Sequence, residues 1–212
     1  MTPDDRIKFK NMAQERAVLL TPVTEGAKRF DTERYVEGYA ANYERYLLWE
    51  CDGRKTYERF ERGCFANTDM SDVIMQFDHE GRVFARITNG TLLVEADDTG
   101  LFVAADLDKT DLARGLYEDI DAKMITRMSW RFKVGKYHVE YDETTGERTI
   151  VHTEIPKIYD VCPVSIPAND TTEINARDFV HGVMDEIARS EAELGDRRRK
   201  LRTKINITLG GI

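Results

Sequence analysis

Between Tyr35 and Ile166 the chain is written in short β-type runs separated by turn residues, a pattern that excludes most helical architectures. The first six runs occupy 35–43, 56–60, 73–77, 83–87, 92–95 and 101–105. Asn89-Gly90 lies between the fourth and fifth, and Asp98-Thr99-Gly100 precedes the sixth, where hairpin turns demand backbone at positive φ. These runs read as an antiparallel meander. The period then lengthens: Leu112, Leu116 and Ile120 recur every four residues behind a cap at Asp108 or Thr110, which predicts a helix over 111–123. Strands resume over 127–139, 148–154 and 157–166. Val180, Val183, Met184 and Ile187 mark a second helical stripe, starting at 172 or 177 and ending at 194. The expected fold class is mainly β, of the α+β kind, with a barrel-like core and crossing and flanking helices.

A length of 212 residues supports one core with extensions. We divide it into an N-terminal arm over 1–34, a compact domain over 35–178 and a helical, basic tail over 179–212. Within the arm, the apolar cluster 17–20, closed by Pro22, reads as a short strand or docking segment. A composition of 41% hydrophobic and 33% charged residues excludes both a disordered chain and a membrane-buried one. The first ten residues carry charges instead of an apolar signal core, and apolar runs of about 18 residues are absent, so neither secretion nor a membrane anchor is expected. Cys51, Cys64 and Cys162 are odd in number and widely spaced, and read as reduced thiols. A net charge of -8 makes nucleic acid an improbable partner. The tail departs from this balance, with Arg197, Arg198, Arg199, Lys200, Arg202 and Lys204 crowded behind Asp185, Glu186, Glu191, Glu193 and Asp196.

In the run 127–134, Met128, Trp130, Phe132 and Val134 share one face because side chains alternate along a strand. Ser129 therefore shares the other face with Arg127, Arg131 and Lys133. It reads either as a small polar residue on the wet side of a strand or as a nucleophile on a rigid element, among cations suited to an oxyanion. His79 follows the apolar run 73–77 in the phase of Val73, Met75 and Phe77, and Glu80-Gly81 after it signals a loop. It reads as a structural histidine or as a partly desolvated general base. Asp160 interrupts an apolar strand, where a bare carboxylate is costly, and so requires a partner: an arginine or the His79 imidazole. His138 and His152 lack metal-ligand spacing, and the chain has neither a glycine-rich phosphate loop nor a G-x-S-x-G elbow. No metal and no cofactor is expected.

Taken in order, Val36-Glu-Gly-Tyr-Ala40, Phe60-Glu-Arg-Gly-Cys-Phe65, Phe77-Asp-His-Glu80, Gly100-Leu-Phe-Val103, Met128-Ser-Trp-Arg-Phe132, Ile158-Tyr-Asp-Val161 and Ile166-Pro-Ala-Asn169 resemble the prohead (capsid maturation) proteases of tailed bacteriophages. The resemblance runs over roughly two thirds of the chain, 35–176. It implies a serine endopeptidase on a β-barrel surrounded by helices, similar to herpesvirus assemblin. It also implies Ser129 as nucleophile, His79 as general base and Asp160 as the third member. Backbone N–H groups near Ser129 are expected to hold the oxyanion, and from the strand pattern Arg127 and Arg131 are added as oxyanion or substrate contacts. The family usually carries Glu where this chain has Asp160, a side chain one methylene shorter. Assemblin relatives use a second histidine as third member, so His152, and after it His138, is held in reserve.

The same resemblance implies where such an enzyme works. It would act inside the immature capsid, in the host cytoplasm, on the scaffold segment of the major capsid protein and on itself, with self-association a further option and no membrane partner. The tail reads as a scaffold-docking or self-cleaved extension, or as a solvated charged terminus. Two other readings stand beside this one: a catalytically inactive scaffold or assembly protein that keeps the protease fold, and a small-molecule-binding β-barrel.

Overall fold

A computed structural model describes residues 13–22, 28–51, 53–165 and 170–209. In chain order the strands are β1 (Ala13–Pro22), β2 (Tyr35–Asn42), β3 (Tyr46–Cys51), β4 (Arg54–Phe60), β5 (Ile74–Phe77), β6 (Glu80–Arg86), β7 (Leu92–Ala96), β8 (Gly100–Asp106), β9 (Arg127–Lys133), β10 (Tyr137–Tyr141), β11 (Arg148–His152) and β12 (Lys157–Val164). Helix α1 (Asp111–Asp121) separates β8 from β9, and α2 (Asp170–Leu209) follows β12. The strands form an eight-stranded sheet in the order β6-β5-β12-β9-β1-β2-β8-β7 and a four-stranded sheet in the order β10-β11-β4-β3. The fold is thus mainly β with a few helices, as the run pattern predicts. The edge strands β6 and β7 are joined by a 3-10 turn at Ile87–Asn89 and share no ladder among the described residues, so the sheet is not closed into the expected barrel.

β1 occupies the middle of the large sheet. Ala13 to Leu19 pair with β9 and Leu20 to Pro22 pair with β2, so one strand splices the two halves of the sheet together. The apolar cluster of the N-terminal arm is therefore a central strand. The pairing is also less regular than a meander. β5–β6 and β7–β8 are antiparallel hairpins, but β4 lies parallel to β11 and β5 parallel to β12. The run read as one strand over 127–139 is broken into β9 and β10, which belong to different sheets. The break falls at Gly135, where a Cβ would lie 2.3 Å from the Glu154 carbonyl oxygen, an approach only glycine permits. The end of the run 157–166, with the Pro-Ala-Asn segment after it, lies outside the described residues.

The two sheets meet through aromatic side chains. Phe60 of β4 packs on Trp130 and Phe132 of β9, with ring centroids 5.3 and 5.7 Å apart, and Trp130 stacks on Phe132 at 4.3 Å. All three are buried, with Phe65, Val73, Met75, Ile150, Ile158 and Val161 in the same cluster. Tilted, T-shaped and stacked pairs at these distances add to the burial term, so this cluster is the main apolar seam between the sheets. α1 starts at the predicted cap, the Ala113 amide donating to Thr110 Oγ1 at 3.1 Å, and its buried face is Ala113, Leu116 and Ile120, while Leu112 stays about half exposed. α2 is anchored by the buried Val180 and Val183 and by the Tyr137 hydroxyl, which donates to Glu186 at 2.7 Å. It runs well past the expected end at 194, and Leu194 and Leu201 are more than half exposed.

Gly100 opens β8 opposite Asn42, and a Cβ there would lie 1.9 Å from the Ala41 carbonyl oxygen. Because that neighbour is backbone, relief requires the two strands to part. We expect Gly100→Ala to lower stability by roughly 1–3 kcal/mol, read as a fall in the urea midpoint without a change in slope.

Candidate active site

β9 carries its residues on two chemically opposite faces. Met128, Trp130 and Phe132 point into the aromatic seam, and Ser129 and Arg131 take the other side. Strand β12 pairs beside it, Asp160 opposite Arg131 and Cys162 opposite Ser129. These four side chains therefore share a sheet face, and directly opposed pairs bring Cβ atoms to about 4.5–5.5 Å. The match of faces depends on an irregularity. Ile158 pairs with Phe132 and Asp160 with Arg131, so Tyr159 is a bulged, extra residue. Without it, strict alternation from Ile158 would turn Asp160 toward the aromatic core.

His79 arrives from the other neighbour of β12. Phe77 pairs with Glu80 across the β5–β6 hairpin, leaving Asp78 and His79 as its two-residue turn, both left-handed at φ 49° and 61°. Positive φ at both central residues is the signature of the turn type that suits hairpin twist. The strand end and the desolvated ring expected for His79 are thus observed, its side chain being 7% exposed. Its burial follows from the turn, not from the alternation phase of β5.

Within this arrangement His79 Nδ1 lies 2.6 Å from Asp160 Oδ1. An ionised carboxylate only accepts, so Nδ1 is the donor, and in a neutral ring Nε2 is then the acceptor. Nε2 is buried and has no hydrogen-bond partner among the described residues. The Arg131 guanidinium stands 3.6 Å from the second oxygen, Asp160 Oδ2, and the Cys162 thiol donates to Oδ1 at 3.4 Å. Asp160, only 4% exposed, thus has both partners that the sequence offered as alternatives, and a buried charge so paired avoids the larger part of its desolvation cost. Ser129 is 2% exposed.

The remaining sequence candidates lie elsewhere. Arg127 is exposed, opposite Val164 two rungs from Ser129. His152 is on the aromatic side, its ring stacked on Phe60 at 5.0 Å and its Nε2 2.8 Å from Glu58, both members fully buried. His138 is a half-exposed residue of β10, 3.5 Å from Glu140. Neither joins the His79–Asp160 pair. Two members of the site escaped the sequence reading. Cys162 passed as an ordinary thiol, though its spacing of two from Asp160 was a usable signal. Asp78 passed as a neighbour of His79, though Asp is one of the few residues that tolerate the left-handed region.

His79, Asp160 and Cys162 place ligand atoms within 4.8 Å of one another, close enough to hold a metal ion. The donor set fits a proton relay better. A cation would have to displace the Nδ1 hydrogen bond and meet the Arg131 guanidinium. Burial, then the Asp160 carboxylate, also pushes the Cys162 thiol well above the usual thiol range, against a smaller opposing pull from the Gln76 and His79 amides, so the sulfur keeps its proton. Cys64 is pushed up to about 12, chiefly by burial. Since the thiolate is the reactive form, neither Cys64 nor Cys162 should react with iodoacetamide at pH 8 in the folded chain, and both should react in urea; peptide mass spectrometry reads the difference.

No curated protein matches the chain. Among solved structures, that of the bacteriophage T4 capsid assembly protease is similar at 13% identity, over 74% of this chain and 100% of that one, with a TM-score of 0.39. The family described as Caudovirus prohead serine protease matches residues 23–186. That span is well over half of the sequence, contains every residue of the site just described, and makes this chain a member of the Caudovirus prohead serine protease family.

Proposed function

We propose that the chain is a prohead-maturation endopeptidase in which Ser129 is the nucleophile, His79 the general base and Asp160 the carboxylate that orients the imidazole. The observation that carries this reading is the 2.6 Å contact between His79 Nδ1 and Asp160, with the buried Nε2 left unpartnered on the sheet face that Ser129 shares. In this mechanism Nε2 removes the Ser129 proton and the oxygen attacks a peptide carbonyl. The imidazolium returns the proton to the leaving amine, and water activated by the same nitrogen hydrolyses the acyl-enzyme. Asp160 keeps the proton on Nδ1 and stabilises the imidazolium as it forms. β9 is a central strand with neighbours on both sides, so its own amides are committed to ladders. Charge on the developing oxyanion then falls to the Arg131 guanidinium, with the exposed Arg127 farther along the same strand face as a contact for incoming substrate.

Burial of the relay strengthens each of these electrostatic contacts. The substrates we assign are the scaffold segment of the capsid protein and the basic tail of the protease itself, with the immature capsid interior as the place of action.

A fluorophosphonate probe should label wild-type protein at Ser129 and leave Ser129→Ala unlabelled. Asp160→Asn should label more slowly by about 10²-fold or more, because the ring loses its fixed tautomer. An unlabelled wild type, or a labelled Ser129→Ala, removes Ser129 from the role of nucleophile. For self-processing, intact mass over days should show the wild-type tail shortened and the Ser129→Ala tail complete; equal loss in both proteins would mean that another protease cuts it.

A further inference from the structure

We propose that Asp78 is a positioning residue for the His79–Asp160 pair, its carboxylate clasping the end of β12 so that the imidazole is held in a turn it would not keep unaided. The proposal deepens the catalytic reading above and rests on it for its rate measurement alone. Two successive non-glycine residues in the left-handed region are unfavourable, and such a pair persists where its surroundings over-determine it. At the β5–β6 turn those surroundings are the last residues of β12 and the one after it. The Asp78 amide donates to the Pro163 carbonyl at 3.0 Å, the Ser165 amide donates to Asp78 Oδ1 at 2.9 Å, and the Ser165 hydroxyl donates to Asp78 Oδ2 at 2.7 Å.

The register shows why a clasp is needed there. β5 meets β12 through the registered pair Asp160 and Ile74, and the irregularity between Met75 and Phe77 loosens the hairpin just before its tip. The tip carries His79, whose Nδ1 must stay within hydrogen-bond reach of Asp160. Asp160 and the clasped residues Pro163 and Ser165 belong to one continuous stretch of backbone. Tying Asp78 to that stretch therefore fixes the imidazole and its carboxylate in a common frame. Asp78 itself is exposed, so removing its side chain leaves no cavity and strands no buried polar group. A purely structural role would appear as lost stability; a positioning role appears as lost geometry in a protein that still folds.

Four variants separate the contributions. Asp78→Gly keeps the backbone freedom and deletes the clasp; Asp78→Asn keeps an acceptor for the Ser165 amide and tolerates the turn; Ser165→Ala deletes one of the two side-chain bonds; His79→Gln identifies the ring signal. The first readout is the low-field proton resonance of a histidine Nδ1–H held at short distance by a carboxylate, taken as the signal missing from His79→Gln. The second is the rate of fluorophosphonate labelling. We expect Asp78→Gly to melt close to wild type, to lose or broaden the resonance and to label about tenfold more slowly or worse, with Ser165→Ala intermediate and Asp78→Asn near wild type. An Asp78→Gly protein that keeps both the resonance and the wild-type rate overturns the proposal. So does one that loses them only by unfolding while folded Ser165→Ala keeps both. If wild type is not labelled at all but the resonance responds to Asp78→Gly as expected, the nucleophile assignment fails and the clasp stands.

Discussion

Tyr159 stands unpaired between Ile158 and Asp160, and the face on which the rest of β12 presents its side chains follows from it. Before the bulge the strand contributes Ile158 to the aromatic seam. After it, Val161 and Pro163 line up with Trp130 and Met128, and Asp160 and Cys162 line up with Arg131 and Ser129. A one-residue slip in a strand exchanges its two faces. Here the exchange is made within the strand, which lets one element both close the core and supply a carboxylate to the opposite side.

The two faces of β9 divide the work in the same way. One is packed against aromatic rings whose contacts hold the strand's position to the precision of a close-packed interior. The other carries polar groups, fixed because the core beneath them is fixed. Asp160 shows how such a face stays affordable at low exposure: the imidazole, the guanidinium and the thiol all meet its two oxygens, so a charge away from water keeps its hydrogen bonds. The buried Glu58–His152 pair solves the same problem on the aromatic side, diagonally across the β4–β11 ladder, with no serine on the rung of either member.

What could be read from residues alone divides along physical lines. The two faces of β9 follow from alternation and the start of α1 from a threonine that caps it, whereas the burial of His79 is set by the β5–β6 turn, which the apolar run before it only locates. The phase of Asp160 could not be read, because a bulge is a property of two paired strands and leaves no period in one of them. β3 leaves no alternating signal, since Tyr46 to Cys51 is apolar or aromatic apart from Glu50, and its pairing with β4 is itself irregular. The apolar cluster of β1 reads as a strand, but its place between β9 and β2 depends on partners more than a hundred residues and about fifteen residues away, respectively. The apolar stripe of α2 thins at 194 and so marks an end there, although the backbone continues as helix through the charged segment. The link from His79 to Asp160 was open to two partners in the sequence, and folding supplies both.

The length of α2 bears on how its basic end could ever be released. Peptidases take their substrates as extended chain, whereas this segment is wound as α-helix as far as Leu209. Past Ile187, the last apolar side chain of the stripe that touches the core, the segment is held mainly by its own turns, without the tertiary packing that gives most protein helices their stability. Any cut within it therefore waits on local unwinding. The timing of that cut would be governed by helix melting, and so by temperature, ionic strength and whatever binds the helix, as much as by the chemistry of the site.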